Sequence, residues 1–166
     1  MLIGETADEL GGSHYLRLLA QAAAGSVPSI DLQSAPRIMG VMHQAIVRQL
    51  VRSCHDLSEG GLGVALAEMC FAGAVGAVVD LTSVPSRTTL RDDVLLFSES
   101  APRFLLEVGP DQLADLLSLF ERAGIPCAMI GSTRGHSTLV LRSNGKEIAC
   151  LTIDALEQSF RSGLEL

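Results

Sequence analysis

Apolar residues recur at helical spacing in five segments of the chain. In the most regular segment Pro110 suits the first turn, leucines and Phe120 form one stripe, and Gly124 follows the last turn. Ser13 is placed to cap the first of these helices. The predicted helices cover residues 13–24, 36–53, 62–72, 110–123 and 153–161.

Short apolar runs between these segments are typical of strands. They cover residues 77–81, 103–108, 128–130, 138–142 and 148–152, and residues 2–4 resemble the end of another strand. Asn144-Gly145 between the last two runs is a strong hairpin signal. Helices that alternate with strands predict an α/β or α+β fold, and the hairpin favours a mixed β-sheet packed against helices. We expect a single domain over residues 1–166, which starts mid-strand as a piece of a longer chain would.

The composition predicts a folded cytoplasmic protein. Hydrophobic residues make up 48% of the chain and charged residues 19%, which is enough apolar material for a packed core. No run of about 18 uncharged apolar residues is present, so we expect no membrane-spanning helix and no membrane partner. The first residues include acidic side chains and no basic one, unlike a secretory signal.

The charge balance argues against two function classes. With a formal net charge of −7 the chain is a poor nucleic-acid binder, because phosphate contacts need clustered Lys and Arg. Lys146 is the only lysine and follows no glycine-rich loop, which argues against a P-loop kinase. The cysteines at positions 54, 70, 127 and 150 form no CxxC pair, so we expect buried thiols and no metal site.

His55 and Asp56 are adjacent titratable residues that suggest a catalytic dyad. Neighbouring side chains of a strand point to opposite faces, so the two side chains should not meet. Asp56 and Ser58 can instead accept hydrogen bonds from backbone N–H groups and shape the turn that follows, with a phosphate or nucleotide contact as the alternative. His55 is either a packing histidine or a ligand contact.

Paired glycines precede two of the predicted helices. Gly60 and Gly61 permit positive φ angles and a close ligand approach, and the helix that follows offers N–H groups to an anion. The turn is therefore a candidate phosphate site, with a purely structural turn as the alternative. Gly11, Gly12 and Ser13 repeat the pattern as a secondary glycine turn.

A polar tripeptide, Ser98, Glu99 and Ser100, lies between an apolar run and a predicted strand. Loops at strand ends often hold ligand contacts in α/β proteins. Arg103 is a candidate for bidentate phosphate binding. The alternative for Arg103 is a surface ion pair with Glu99 or Glu107.

Three stretches together resemble one family. They are DELGGS at residues 8–13, HDLSEGGLGVALAEM at 55–69 and LFSESAPRF at 96–104. In this order they are similar to segments of phosphoribosylformylglycinamidine synthase, the synthetase component of formylglycinamide ribonucleotide amidotransferase. The resemblance spans roughly residues 2–142 and places the chain in the aminoimidazole ribonucleotide synthase-like superfamily.

The resemblance implies the C-terminal domain of a longer synthase, with an aminoimidazole ribonucleotide synthase C-terminal domain-like fold. It implies a reaction in which ATP, with Mg²⁺, activates the formyl amide oxygen and glutamine-derived ammonia displaces it. The remaining synthase domains and a glutaminase subunit or domain would be the partners, and a ribonucleotide the substrate. The family's catalytic histidine and metal ligands lie in segments absent from this sequence. This chain would therefore supply phosphate or nucleotide contacts and no catalytic residue.

The chain departs from the family at Ala101, where glutamine often follows the polar tripeptide. The family also holds a structural nucleotide in a pseudo-site, which the two loops could serve in place of the reacting site. Two other hypotheses are an interaction domain with no ligand of its own and the C-terminal domain of another ATP-dependent synthetase of the superfamily.

Overall fold

Eight strands and six α-helices make up the part of the chain that the computed structural model describes, residues 1–19 and 25–163. The strands are β1 (Leu2–Ile3), β2 (Ser53–Asp56), β3 (Gly76–Asp80), β4 (Phe104–Glu107), β5 (Cys127–Ala128), β6 (Gly131–Arg134), β7 (Thr138–Ser143) and β8 (Lys146–Thr152). The helices are α1 (His14–Leu18), α2 (Ser34–Val47), α3 (Gly61–Gly73), α4 (Asp92–Phe97), α5 (Leu113–Arg122) and α6 (Ile153–Ser162). Short 3-10 turns cover Leu81–Ser83 and Pro110–Gln112.

The strands form two four-stranded sheets. In the first sheet β2, β4, β1 and β5 lie side by side, and every pair is antiparallel. In the second sheet the order is β6, β3, β7, β8, and the parallel pair β3–β7 lies between two antiparallel pairs. The predicted mixed sheet packed against helices is confirmed by the second sheet. The antiparallel first sheet is an addition that the sequence did not predict.

The first sheet buries apolar residues on both faces, because successive side chains of a strand point to opposite sides. On β1, Leu2 joins a cluster with α3 and the second sheet, whereas Ile3 joins a cluster with α2 and α5. Leu105 and Leu106 of β4 divide in the same way. The sheet is therefore covered by α2 and α5 on one face and by α3 on the other.

Helix α3 is a central element of the fold. Its single charge predicts that most of its circumference is buried. Leu62, Ala65, Leu66 and Cys70 on one face are at most 5% exposed, and the other residues from 61 to 71 are buried or partly buried. The helix packs between the first sheet and strands β3 and β7 of the second. Among the described residues no helix is long and apolar enough to cross a membrane.

Several predicted element boundaries differ from the structure. The helix predicted over 36–53 ends at Val47, because Gln49 has a φ of 57° and the chain turns there before β2. The segment predicted over 110–123 begins as a 3-10 turn and becomes α5 at Leu113. Helix α4 and strand β6 were not predicted, since both are too short to show a periodicity. The helix predicted over 13–24 corresponds to α1, which ends at Leu18, and residues 20–24 of the predicted range lie outside the described residues.

Candidate functional site

The three motif stretches of the sequence, although far apart along the chain, meet at the N-terminus of α3. The Gly60 N–H donates to Oε1 of Glu99 over 2.9 Å. The Glu99 N–H in turn donates to the carbonyl oxygen of Glu9 over 3.4 Å. His14 Nε2 lies 3.7 Å from Glu59 Oε2 across the same junction. We call this junction of the glycine turn, the Ser98–Ser100 loop and residues 6–13 the motif junction.

The two serines of the Ser98–Ser100 loop hold it against the N-terminal segment. The Ser98 hydroxyl donates to the Ala7 carbonyl over 2.7 Å, and the Ala7 N–H donates to Oγ of Ser100 over 3.0 Å. The two hydroxyl oxygens are 2.9 Å apart, and the residues are 0% and 4% exposed. Because both hydroxyls are buried and paired within the protein, Glu99 is the side chain of this loop that remains in reach of a ligand.

Arg103 is buried beneath the same loop, with only 1% of its surface exposed. Its Nε donates to the Ser100 carbonyl over 2.7 Å, Nη1 donates to Thr6 Oγ1 over 2.9 Å, and Nη2 donates to the Ser98 carbonyl. Burial lowers the pKa of the guanidinium to about 10, and the charge of Glu9 opposes this shift. No carboxylate of residues 1–19 and 25–163 forms an ion pair with it.

Both sequence-based interpretations of Arg103 therefore need correction. A guanidinium that is fully buried and bound to two carbonyl oxygens and a hydroxyl has no pair of free N–H groups with which to bind a phosphate. It also makes no surface pair with Glu99 or Glu107. The structure places Arg103 as a support of the loop. The sequence offered no sign of this, because two of its partners are carbonyl oxygens, which every residue carries, and the third, Thr6, is 97 positions away.

The paired glycines allow two backbone segments to pack closely against each other. Gly60 and Gly61 have φ angles of 77° and 60°, and Gly60 is the N-cap of α3. A Cβ added at Gly61 would lie 2.3 Å from the Ser98 carbonyl oxygen and 2.9 Å from that of Leu96. The absent side chain thus lets the Ser98–Ser100 loop pack on the first turn of α3. The close approach predicted from the sequence is made by the protein's own backbone.

His55 and Asp56 lie closer together than strand alternation predicted. His55 Nδ1 is 3.6 Å from Asp56 Oδ1, and its Nε2 is 2.8 Å from Oε2 of Glu68 on α3. The expectation that the first two side chains do not meet is wrong, because Asp56 is the last residue of β2 and the chain leaves the sheet there. Sequence reasoning missed Glu68 as a partner, although it is the single charge on a buried helix.

The structural role predicted for Asp56 and Ser58 is not observed. The Asp56 side chain is 70% exposed, and neither side chain accepts a backbone N–H within the described part of the chain. The turn is closed instead by the Gly61 N–H, which donates to the Ser58 carbonyl over 3.1 Å.

The secondary glycine turn shapes the start of α1. The Ser13 hydroxyl accepts the Leu16 N–H over 3.3 Å, so the predicted N-cap is confirmed. Gly12 has a φ of 78° with open space around it. A Cβ at Gly11 would lie 2.6 Å from the Ser26 carbonyl carbon, so this glycine also permits a close backbone contact.

A large apolar cleft of about 1120 Å³ lies along the C-terminal half of α3. Its walls come from β2 and β4, α3, and the second-sheet strands β3 and β6. His55 and Glu68 line it, together with the exposed side chains of Met129 and Phe160. The sequence did not predict this cleft, because its walls come from distant segments.

Metal-ligating residues are not clustered in the described residues. No group of three or more His, Cys, Asp or Glu side chains is arranged to hold a metal ion there. The His55–Glu68–Asp56 set has one imidazole whose two nitrogens already face carboxylates. Such a donor set does not fit Mg²⁺, which prefers oxygen ligands in octahedral geometry.

Comparison with known proteins gives consistent matches. The family model described as AIR synthase related protein, C-terminal domain, matches residues 1–143. Phosphoribosylformylglycinamidine synthase subunit PurL of Moorella thermoacetica is 39% identical over 99% of this chain. The chain covers 22% of that relative, so it spans a minor part of the protein that it matches.

Solved structures share the fold. The structure of T. maritima PurL complexed with FGAR has a TM-score of 0.82 at 19% identity, over 93% of this chain and 27% of that chain. The structure of T. maritima PurL complexed with ATP has a TM-score of 0.71 at 18% identity, over 93% of this chain and 24% of that chain.

Proposed function

The chain belongs to the family of AIR synthase related proteins' C-terminal domains, and from this premise we propose that it is one domain of a phosphoribosylformylglycinamidine synthase. In the proposed reaction ATP activates the formyl amide of formylglycinamide ribonucleotide, and ammonia from glutamine replaces the oxygen. The domain supplies anion contacts and packing surface, and the isolated chain does not complete the reaction. The likeness to PurL over 99% of the chain supports this proposal.

The observation that carries the proposal is the carboxylate at the N-terminus of α3. A helix N-terminus attracts negative charge through its unpaired N–H groups and its dipole. In this structure the oxygen that takes this position belongs to Glu99, 2.9 Å from the Gly60 nitrogen. We infer that a phosphate oxygen of the nucleotide or ribonucleotide competes with Glu99 for this N–H group. His55, on the neighbouring strand, is half-buried and is a further candidate contact.

Mg²⁺ would come to such a site with the nucleotide or from other parts of the synthase. The donor sets of the described residues do not fit a magnesium site of their own. The residues of this chain would therefore bind and orient the anion, and no step is assigned to a metal that they hold.

The proposed partners are the remaining synthase domains and a glutaminase that supplies ammonia. Since the chain covers 22% of the PurL relative, most of the surface that such a synthase needs lies in other segments. We propose a cytoplasmic location along with this role, since the cytoplasm supplies the ATP that the proposed reaction uses.

A scaffold domain with no ligand is the second candidate function. It is favoured by one observation: the polar groups of Ser98, Ser100 and Arg103 are all used within the protein. In this alternative the motif junction stabilises the fold of the domain and binds no ligand.

Replacing Glu99 by Gln separates these two functions. The chain, wild type or E99Q, is mixed with M. thermoacetica PurL that lacks the segment matched by this chain, and product formation from ATP, ammonia and the ribonucleotide is measured. Removing the competing charge should lower the KM for ATP or for the ribonucleotide several-fold. Glu147→Gln, on the exposed strand β8, is the matched control and should change neither constant. Equal constants for E99Q and wild type would favour the scaffold, and no product with wild type would overturn the proposed reaction.

A further inference from the structure

The apolar cleft along the C-terminal half of α3 is large enough to hold a small organic molecule. Its volume of about 1120 Å³ slightly exceeds the usual range of ligand pockets, about 300–1,000 Å³. Met129 and Phe160 line the cleft with 59% and 46% of their surface exposed, so apolar surface is open to a ligand from solvent. The centroid of the Phe160 ring lies 5.2 Å from that of Phe71 on α3, and this pair gives the cleft an aromatic wall.

Two carboxylates face this apolar cleft. Glu68 lines it from α3, where its side chain is 28% exposed and its Oε2 lies 2.8 Å from Nε2 of His55. Glu107 lines it from β4, and the hydroxyl of its cross-strand neighbour Ser53 donates to its Oε2 over 3.4 Å. Side chains two residues apart on a strand share a face, as those of Ser53 and His55 do. Both carboxylates therefore lie on the same side of the first sheet.

The charged side chains of the lining favour a cation. Within the part of the chain that the structure describes, neither Glu68 nor Glu107 forms an ion pair with an arginine or a lysine. Among those residues Arg52 is the only arginine or lysine of the lining, and it is exposed, with its guanidinium beside Gly109. A phosphate compound would meet two like charges where apolar walls exclude much of the screening water. An uncharged molecule would cover the carboxylates and leave them without a partner, which is costly.

We propose that the cleft binds a small apolar amine, a molecule with an aromatic or alkyl body and one protonated amino or amidinium group. The body packs against Phe71, Phe160 and Met129 and gains binding free energy by leaving water. The cation pairs with the carboxylates of Glu68 and Glu107. The inference does not depend on the proposed synthase reaction, and no residue of the motif junction lines the cleft.

Titration calorimetry of the full chain at neutral pH with three probes tests the preference for a cation. The probes are phenylbutylamine, phenylbutanol and phenylbutyrate, which share one apolar body and carry a positive charge, no charge and a negative charge. We expect the amine to bind at least about fivefold more tightly than the alcohol, and the acid to bind most weakly. Equal affinity for the three probes, or tightest binding of the acid, would overturn the proposal.

Charge-removing variants test the two carboxylates. Glu68→Gln and Glu107→Gln should each weaken binding of the amine about fivefold and leave binding of the alcohol within about twofold. Glu147→Gln, on the exposed strand β8, is the matched control and should change neither affinity. Circular dichroism checks that each variant is folded. Wild-type affinity of both cleft variants for the amine would contradict the role of the carboxylates.

A methionine pair tests the apolar wall. Met129→Ala should weaken binding of all three probes, whereas Met39→Ala on α2, where the methionine is 57% exposed, should change none. The amide NMR signals of residues 68–73 should shift when the amine binds. Equal effects of the two substitutions, or shifts confined to other segments, would place the amine outside the cleft and overturn the proposal.

A peptide tests the other source of an apolar cation, a lysine side chain of a protein segment. The probe is an acetylated peptide amide of alternating leucine and lysine. Binding of this peptide at least tenfold more tightly than the amine would assign the cleft to a protein segment and overturn the proposal of a small molecule. Weaker binding of the peptide than of the amine is the expected result.

Discussion

Replacing Gly61 by alanine should destabilise the fold more than its φ angle accounts for. Gly61 and Gly124 have nearly equal φ angles of 60° and 61°. The surroundings differ: a Cβ at Gly124 meets nothing within 4 Å, whereas one at Gly61 lies 2.3 Å from the Ser98 carbonyl oxygen. The two substitutions share the same backbone strain and the same entropy loss in the unfolded chain. Their difference therefore isolates the contact between the loop and α3.

The magnitudes follow from these two terms. A left-handed backbone costs an alanine about 1–2 kcal/mol, which is the whole effect expected for Gly124→Ala. Forcing a methyl group into a filled space costs about 1–3 kcal/mol more, and the atoms it meets at Gly61 are main-chain oxygens that cannot rotate away. We therefore expect Gly61→Ala to lower the free energy of unfolding by about 2–5 kcal/mol.

Urea denaturation followed by circular dichroism measures both variants against wild type. We expect Gly61→Ala to lower the free energy of unfolding by at least about 1 kcal/mol more than Gly124→Ala does. Equal losses within about 0.5 kcal/mol would refute the reasoning, since they would mean that the Ser98–Ser100 loop does not pack on the first turn of α3.

Two further predictions concern stability. Arg103→Met should lower the free energy of unfolding by about 2–4 kcal/mol in urea denaturation, because two buried carbonyls and the Thr6 hydroxyl lose their donor; a loss below about 1 kcal/mol would contradict this. Ser13→Ala should remove the cap of α1 and cost about 1 kcal/mol in thermal unfolding, whereas Ser13→Gly should cost only a few tenths; equal costs would argue against the cap.

The sequence was sufficient to predict those features that depend on residues close together along the chain. Asn144-Gly145 predicted the hairpin of β7 and β8, and both residues adopt positive φ angles in it. The period of three to four predicted α3 and α5, and Ser13 was identified as a cap. The motif stretches carried the family resemblance, which the match over residues 1–143 bears out.

The tertiary structure decided what each polar side chain in those stretches does. Ser98 and Arg103 were candidate ligand contacts, but both are buried. Ser98 binds the distant Ala7 carbonyl, whereas Arg103 binds the Ser98 and Ser100 carbonyls of its own loop and the distant Thr6 hydroxyl. His55 was predicted to point away from Asp56, yet the end of the strand brings them within 3.6 Å, and Glu68 arrives from another element. The antiparallel first sheet likewise pairs strands from four separate parts of the chain.

The difference between the features that the sequence predicted and those that the tertiary structure decided has a physical reason. Helix periodicity, turn φ angles and caps are set by interactions over a few residues, so the sequence by itself determines them. Whether a hydroxyl or guanidinium is free for a ligand depends on which backbone segment packs over it. For the motif junction that packing joins residues about 90 positions apart, as Ala7 and Ser98 are, and only the folded chain brings them together.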